Sequence, residues 1–317
     1  MDTASPQSIF FSAVLVIALG YVLRRRGLVD RRDGSTIARI VINVTLPAVI
    51  LQTVPGIDFR ASLLFLPLLA LAHGAVSFAI VTLIFRRSSP ARRGLFAICA
   101  MGFNNGLFAF PIVYEIWGGG AIQLLAVFDV GNGFVVLGVN YVVASWFGAL
   151  AVRASGRTAA DMTLREALRA IGYTICTSVP IIAFAVAVAL NLLGLELPGA
   201  VRRTIDIVAS ANGALALLVL GIFQSLNIRR RDWTAIFKVL GLRYAIGALF
   251  AVVSVALLGT GELFRNILSI VFILPIGMTV IPYSVEFNLD SRLATTMVNV
   301  SIVVSFLLMW VIVAVGA

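Results

Sequence analysis

The chain has 317 residues, 61% of them hydrophobic and only 12% charged, with a mean hydropathy of +1.06 and a formal net charge of +10. Ordinary soluble domains carry roughly 25% charged residues, so this composition excludes a soluble enzyme or binding module and requires lipid as part of the solvent. The positive charge does not indicate nucleic acid, because the basic residues stand in short clusters between apolar runs, which is a topology signal.

The first apolar run, 9–23, has no basic residue before it and is followed by Arg24, Arg25 and Arg26. A secretory signal has the opposite polarity, so this start reads as a first membrane helix. Runs of spanning length recur at 7–23, 37–54, 62–85, 94–116, 121–149, 170–193, 204–225, 234–258, 264–284 and 291–315, which predicts ten transmembrane helices. Nearly all of the 24 Lys and Arg fall in the odd-numbered connections, five of them assigned to the seventh. The positive-inside rule then puts both termini on the non-cytoplasmic side of the cytoplasmic membrane. No Lys or Arg is placed near mid-bilayer by these boundaries, so a buried basic counter-ion for an anion is not expected.

A polar connection, 151–169, divides the chain into a first half, 1–150, and a second, 170–317. Thr163 before Glu166 predicts a capping box opening a short surface helix. Five helices before the linker is an odd number, so the second half enters the membrane from the opposite side, the arithmetic of an inverted repeat.

The stretch GFNNGLFAFPIVYE, 102–115, places Asn104, Asn105 and Pro111 inside the fourth run. Each is costly in hydrocarbon unless its polar groups, and those a proline frees, find partners. Phe110-Pro111 through Glu115 aligns with Ile281-Pro282 through Glu286, and Asn104 and Pro275 stand seven residues before the respective prolines. Both halves therefore predict a broken helix, the fourth and the ninth, crossing near the midplane, with Gly102, Gly106 and Gly277 permitting close backbone approach. Half-helix N-termini with asparagines suit a carboxylate. Asp129 is either a proton or cation relay or a structural partner of Asn132, Asn104 or Asn105. Asn132, Asn140 and Asn299 either line the same cavity or tie helices together. Glu115 and Glu286 are expected at opposite interfaces, His73 as a packed neutral ring, Asp206 as a charge at the start of the seventh helix, and Cys99 and Cys176 as packing residues. The sequons at Asn43 and Asn299 lie inside spans and are discounted. GTGELF, at Gly259, lacks the third glycine of a dinucleotide motif. One histidine, no clustered acids and no metal spacing leave no cofactor or catalytic constellation to predict, and without a continuous polar stripe or an output domain, channel and sensor readings rank behind a carrier.

Three stretches resemble the auxin efflux carrier family: LGYVLRRRGLVDRRDGSTIARIVINVTLPAVILQTV with Asn43 and Pro47, GFNNGLFAFPIVYEIWGGGAI, and ILPIGMTVIPYSVEFNLDSRLATTMVNVSIVVSF. The resemblance implies an all-α membrane protein of ten helices in two inverted five-helix repeats. Helices 1, 2, 6 and 7 would form a scaffold, in many members a dimer interface, and helices 3–5 and 8–10 a mobile transport domain. It also implies elevator-type movement of a small organic anion, with Asn104, Asn105, Pro111, Pro275 and Gly277 at the crossing and Asp129, Asn132, Asn43 and Pro47 as supporting or coupling residues. Proton coupling, sodium coupling as in bile-acid-type transporters, and uncoupled movement down the substrate gradient and membrane potential all stay open. A proline frequent in the family's seventh span is replaced here at Asn212-Gly213.

Overall fold

The computed structural model describes residues 6–56, 61–158, 163–224, 229–258 and 261–316. The linker positions 159–162 and the Gly259-Thr260 start of GTGELF lie outside the described residues. The described chain is helical, with one isolated β-bridge. In chain order the α-helices are α1 (Pro6–Arg25), α2 (Arg31–Ile40), α3 (Leu46–Thr53), α4 (Phe65–Ile84), α5 (Pro90–Met101), α6 (Phe110–Gly133), α7 (Asn140–Ala154), α8 (Leu164–Thr177), α9 (Val179–Leu192), α10 (Gly199–Ser210), α11 (Asn212–Phe223), α12 (Trp233–Leu258), α13 (Glu262–Val271), α14 (Val280–Glu286) and α15 (Ser291–Gly316).

Seven helices among the described residues are long and apolar enough to cross a membrane, or eight if the pair α8 and α9, bent by 61°, counts as one span. The difference from ten has a physical cause. The fourth and ninth expected spans are each broken, so no uninterrupted helix of spanning length forms there. The second part of the fourth runs into the fifth as one helical stretch, Asn105–Ala154, turned at Gly118 with φ +70. The sixth is bent where Ser178 takes an extended conformation just before Pro180, which has no N–H to continue the ladder.

Two packing groups emerge. Helix α1 lies along α11, α2 also meets α11, and α3 meets α9 and α10; α4 packs on α5 and α6, α5 on α7, α12 on α4, α5 and α13, and α14 on α7 and α15. The α1–α11 contact is made by backbone. A Cβ on Gly20 would lie 2.2 Å from the Leu218 carbonyl oxygen, and one on Gly221 would lie 1.9 Å from that of Ile17. In lipid the hydrophobic effect does not drive helices together, so close approach through small residues supplies the packing energy instead.

Several local expectations need correction. The capping box at Thr163 and Glu166 forms, but the helix it opens is no short surface segment: α8 runs on to Thr177. Asp206 does not begin a helix. It lies in the later half of α10, where its carboxylate accepts from Gln52 Nε2 at 2.8 Å. Cys99 is buried, whereas Cys176 is exposed on α8 and is not a core residue. Lys238 and Arg243, counted with the seventh connection, are inside α12, and Arg243 is fully buried.

Candidate functional site

Helix α5 stops at Met101 because Gly102 is extended (φ −112, ψ 166). The chain then runs through Phe103 and Asn104 into a π-turn, Asn105–Ala109, that continues as α6. Pro111 explains the wide turn: its ring would clash with the carbonyl four residues back, and the π-turn moves that carbonyl aside. Phe110 N–H accordingly reaches five residues back, to the Asn105 carbonyl. The same solution precedes Pro47, where Leu46 N–H donates to the Val41 carbonyl across the π-turn Val41–Thr45. The second break is the non-helical stretch 272–279 between α13 and α14.

The two breaks meet. Phe103 and Ile276 form an antiparallel bridge, and Asn104 N–H donates to the Pro275 carbonyl at 2.9 Å. Positions 104 and 275, aligned through their prolines in sequence, are therefore bonded partners. Val136 is wedged between the breaks: a Cβ on Gly102 would lie 2.3 Å from its side chain, and one on Gly277 3.3 Å.

Breaking helices in lipid frees main-chain groups, and side chains partner several of them. Asn132 Oδ1 accepts from Phe103 N–H at 2.8 Å while its Nδ2 donates to the Phe103 carbonyl at 3.1 Å. Ile276 N–H donates to Ser301 Oγ at 3.0 Å, and Ser305 Oγ donates to the Ile273 carbonyl at 2.6 Å. Asn140 Nδ2 lies 3.4 Å from the Ile98 carbonyl. Arg243 holds the largest share. One terminal nitrogen donates to the carbonyls of Cys99 (3.1 Å) and Ala100 (2.8 Å), the other to Gly102 (2.9 Å), Leu274 (2.9 Å) and Pro275 (3.3 Å). Its guanidinium also sits 4.6 Å from the centroid of the Phe103 ring.

Beside this framework lies an amide–carboxylate cluster. Asp129 Oδ1 accepts from Asn105 Nδ2 at 2.7 Å and from Asn132 Nδ2 at 2.8 Å. Asn104 Oδ1 caps Leu107 N–H at 3.3 Å. Two amide atoms in the cluster, Asn104 Nδ2 and Asn105 Oδ1, are buried and have no protein partner. His73 packs in a ring cage with Phe103, Phe250 and Phe272, its Nε2 3.5 Å from Ser77 Oγ.

Of the expected residues, Asn104, Asn105, Asp129, Asn132, Pro275 and Gly277 come together at the crossing. Pro111 stands further along α6 and lines a cavity of about 190 Å³ with Gln52, Glu115, Asp206 and Asn212. Asn43 does not belong to the site. It is exposed and donates to the carbonyl of Arg39 on its own helix. Pro47 is buried in α3, one residue beyond Leu46, whose Cδ2 faces Gly106. Asn212, where the family's proline is missing, is held by the Thr45 hydroxyl at 2.9 Å. Asn299 meets Gln224 and borders a second cavity, of about 430 Å³, shared with Arg31 and Arg292.

Arg243, Ser301 and Ser305 were not foreseen. The available signal was an arginine inside an apolar run of spanning length, which by default marks a functional position.

Residues 10–313 match the membrane transport protein family. An uncharacterized transporter of Methanothermobacter thermautotrophicus is 26% identical over 299 residues, covering 93% of each chain. The broken helix, its asparagines and its proline fall inside the matched region: the chain belongs to the membrane transport protein family, that of the auxin efflux carriers.

Proposed function

We propose that this membrane transporter is a secondary carrier of a small organic anion, a mono- or dicarboxylate, bound at the crossing of the two broken helices. The observation that carries the reading is the buried amide nitrogen Asn104 Nδ2, a donor left without a protein partner at the start of a half-helix, from which a carboxylate oxygen can accept. A buried polar atom costs about 1–3 kcal/mol when unpaired, so a ligand that supplies partners gains that energy on binding. The first N–H groups of the half-helix add partial positive charge. A further observation favours an anion: Arg31 and Arg292 line the cavity beside α14 and α15, whereas Glu115 and Asp206 line the cavity beside α6. The basic mouth collects the anion, and the membrane potential, worth about 2.3 kcal/mol per charge per 100 mV, expels it from a negative interior.

The carrier works as an elevator of ten spans in two inverted five-helix repeats, 1–150 and 170–317 joined by the linker 151–169, in the cytoplasmic membrane with both termini outside. Helices 3–5 and 8–10 move against a scaffold of helices 1, 2, 6 and 7, through which two copies can associate. The packing of α1–α3 against α9–α11 supports this assignment. Asp129 is the candidate coupling group, for a proton or, in the second reading, sodium, since Asn105 Oδ1 offers a free oxygen in the same cluster. The test is uptake of radiolabelled carboxylates into proteoliposomes by the wild type, Asn104→Ala and Asn105→Ala. Each substitution should raise the half-saturating concentration or abolish uptake while the protein stays folded; saturable uptake with unchanged affinity in both variants removes the crossing as the binding site.

A further inference from the structure

Every hydrogen-bond acceptor that Arg243 meets is a main-chain carbonyl; no carboxylate is among them. The five oxygens come from two places. Cys99, Ala100 and Gly102 belong to the C-terminal end of α5, and Leu274 and Pro275 follow the C-terminal end of α13. A helix C-terminus carries roughly −0.5 of an elementary charge, and the unwound carbonyls after α13 add their own dipoles, so the meeting point presents partial negative charge away from water. A monovalent cation offsets that charge. In secondary transporters the carbonyls of half-helix C-termini and of unwound backbone are the groups that coordinate a sodium ion. Here they converge on a guanidinium that the protein carries on α12.

We propose that Arg243 is a tethered cation: its side chain fills a monovalent-cation site built from the main-chain carbonyls of the two helix breaks, and shortening it gives a protein that takes sodium or a small guanidinium compound at that place. A guanidinium suits the site because its planar head offers several donors in fixed directions, and here the two terminal nitrogens alone reach all five carbonyls. The aromatic face of Phe103, 4.6 Å from the guanidinium, closes the cage with a surface that also attracts a cation. The inference stands on the carbonyl geometry and does not depend on which solute crosses the membrane.

The experiment compares thermal unfolding of detergent-purified wild type, Arg243→Ala and Arg243→Gln. Each is melted in choline chloride, in sodium chloride at equal ionic strength, and in choline chloride with millimolar methylguanidinium. A ligand that binds the folded state raises the melting temperature with its concentration. Both variants should melt below the wild type in choline, and sodium or methylguanidinium should raise their melting temperatures more than that of the wild type. If a variant is recovered folded only when extracted in sodium or methylguanidinium, that dependence supports the site equally. The proposal is overturned if the folded variants respond to the three salts as the wild type does, or if no cation allows either to be recovered.

Discussion

Asn132 binds Phe103 as a neighbouring strand would: its amide oxygen takes the main-chain N–H at 2.8 Å and its amide nitrogen gives to the carbonyl at 3.1 Å. One side chain thereby satisfies both polar groups of a residue that has left its helix. Asn132→Ala should leave both unpaired in a buried site, at about 1–3 kcal/mol for each group. The melting temperature of the purified protein should fall clearly, and so should that of Asn132→Asp, which keeps the acceptor for Phe103 N–H but sets a second carboxylate against Asp129 and an oxygen against the Phe103 carbonyl. Equal melting of Asn132→Ala and wild type would mean that another group takes over the pairing.

The carboxylate beside this pair gives a separable prediction. Asp129→Asn retains an oxygen that can accept from Asn105 and Asn132, so the folded state should persist. Uptake measured across pH and sodium concentration then isolates coupling. A flattened dependence identifies Asp129 as the coupling group, and an unchanged dependence makes its role structural.

The backbone contact between α1 and α11 leaves no space for a side chain. Gly221→Val places new atoms against the Ile17 carbonyl and should destabilise the protein by about 1–3 kcal/mol, the usual cost of overpacking. Gly172→Ala, inside α8 with open space around it, is the contrasting case and should melt at or above the wild-type temperature.

Asp30 caps α2 at its start, its carboxylate accepting from the N–H groups of Arg32 and Asp33. The Asp33 N–H first, and then that of Arg32, hold its carboxyl below the ordinary aspartate range. A depressed folded-state value means that the cap contributes fully above the unfolded-state value and is lost as pH falls through the folded one. Hydrogen–deuterium exchange at the first turn of α2, corrected for intrinsic rates, should therefore quicken at acid pH in the wild type. Asp30→Asn, an equally good cap without the titration, should remove that pH response.

Much of the crossing was legible because its cost is written in letters. Asparagines and prolines are rare in apolar runs, and Asn104, Pro111 and Pro275 marked both breaks before any fold was known. What answered the cost was harder to read. The carbonyls that Arg243 serves belong to Cys99, Ala100, Gly102, Leu274 and Pro275, whose side chains say nothing of an unpaired main chain. A single arginine among the residues of α12 scarcely lowers the hydropathy of the run, so it was counted with the neighbouring loop. Asn43 failed for another reason. In sequence it resembles the asparagines of the crossing, but helical phase turns it outward, where it bonds to its own backbone. The number of continuous long helices differs from the number of apolar runs for a related cause: hydropathy measures how much apolar chain is present, and it does not record whether the helix through it is continuous.

Helix α12 carries a neighbour to Arg243 that points to a different element. The Tyr244 hydroxyl donates to the Ser301 carbonyl at 3.0 Å and lies 2.9 Å from Ser305 Oγ, both on α15. Two consecutive residues thus fasten α12 to the helix breaks on one side and to α15 on the other. In kinematic terms these bonds tie the breaks, the middle of α12 and α15 into one link. A displacement of the crossing that kept the bonds would carry those parts of α12 and α15 with it, and the turn at Gly118 lies outside the link.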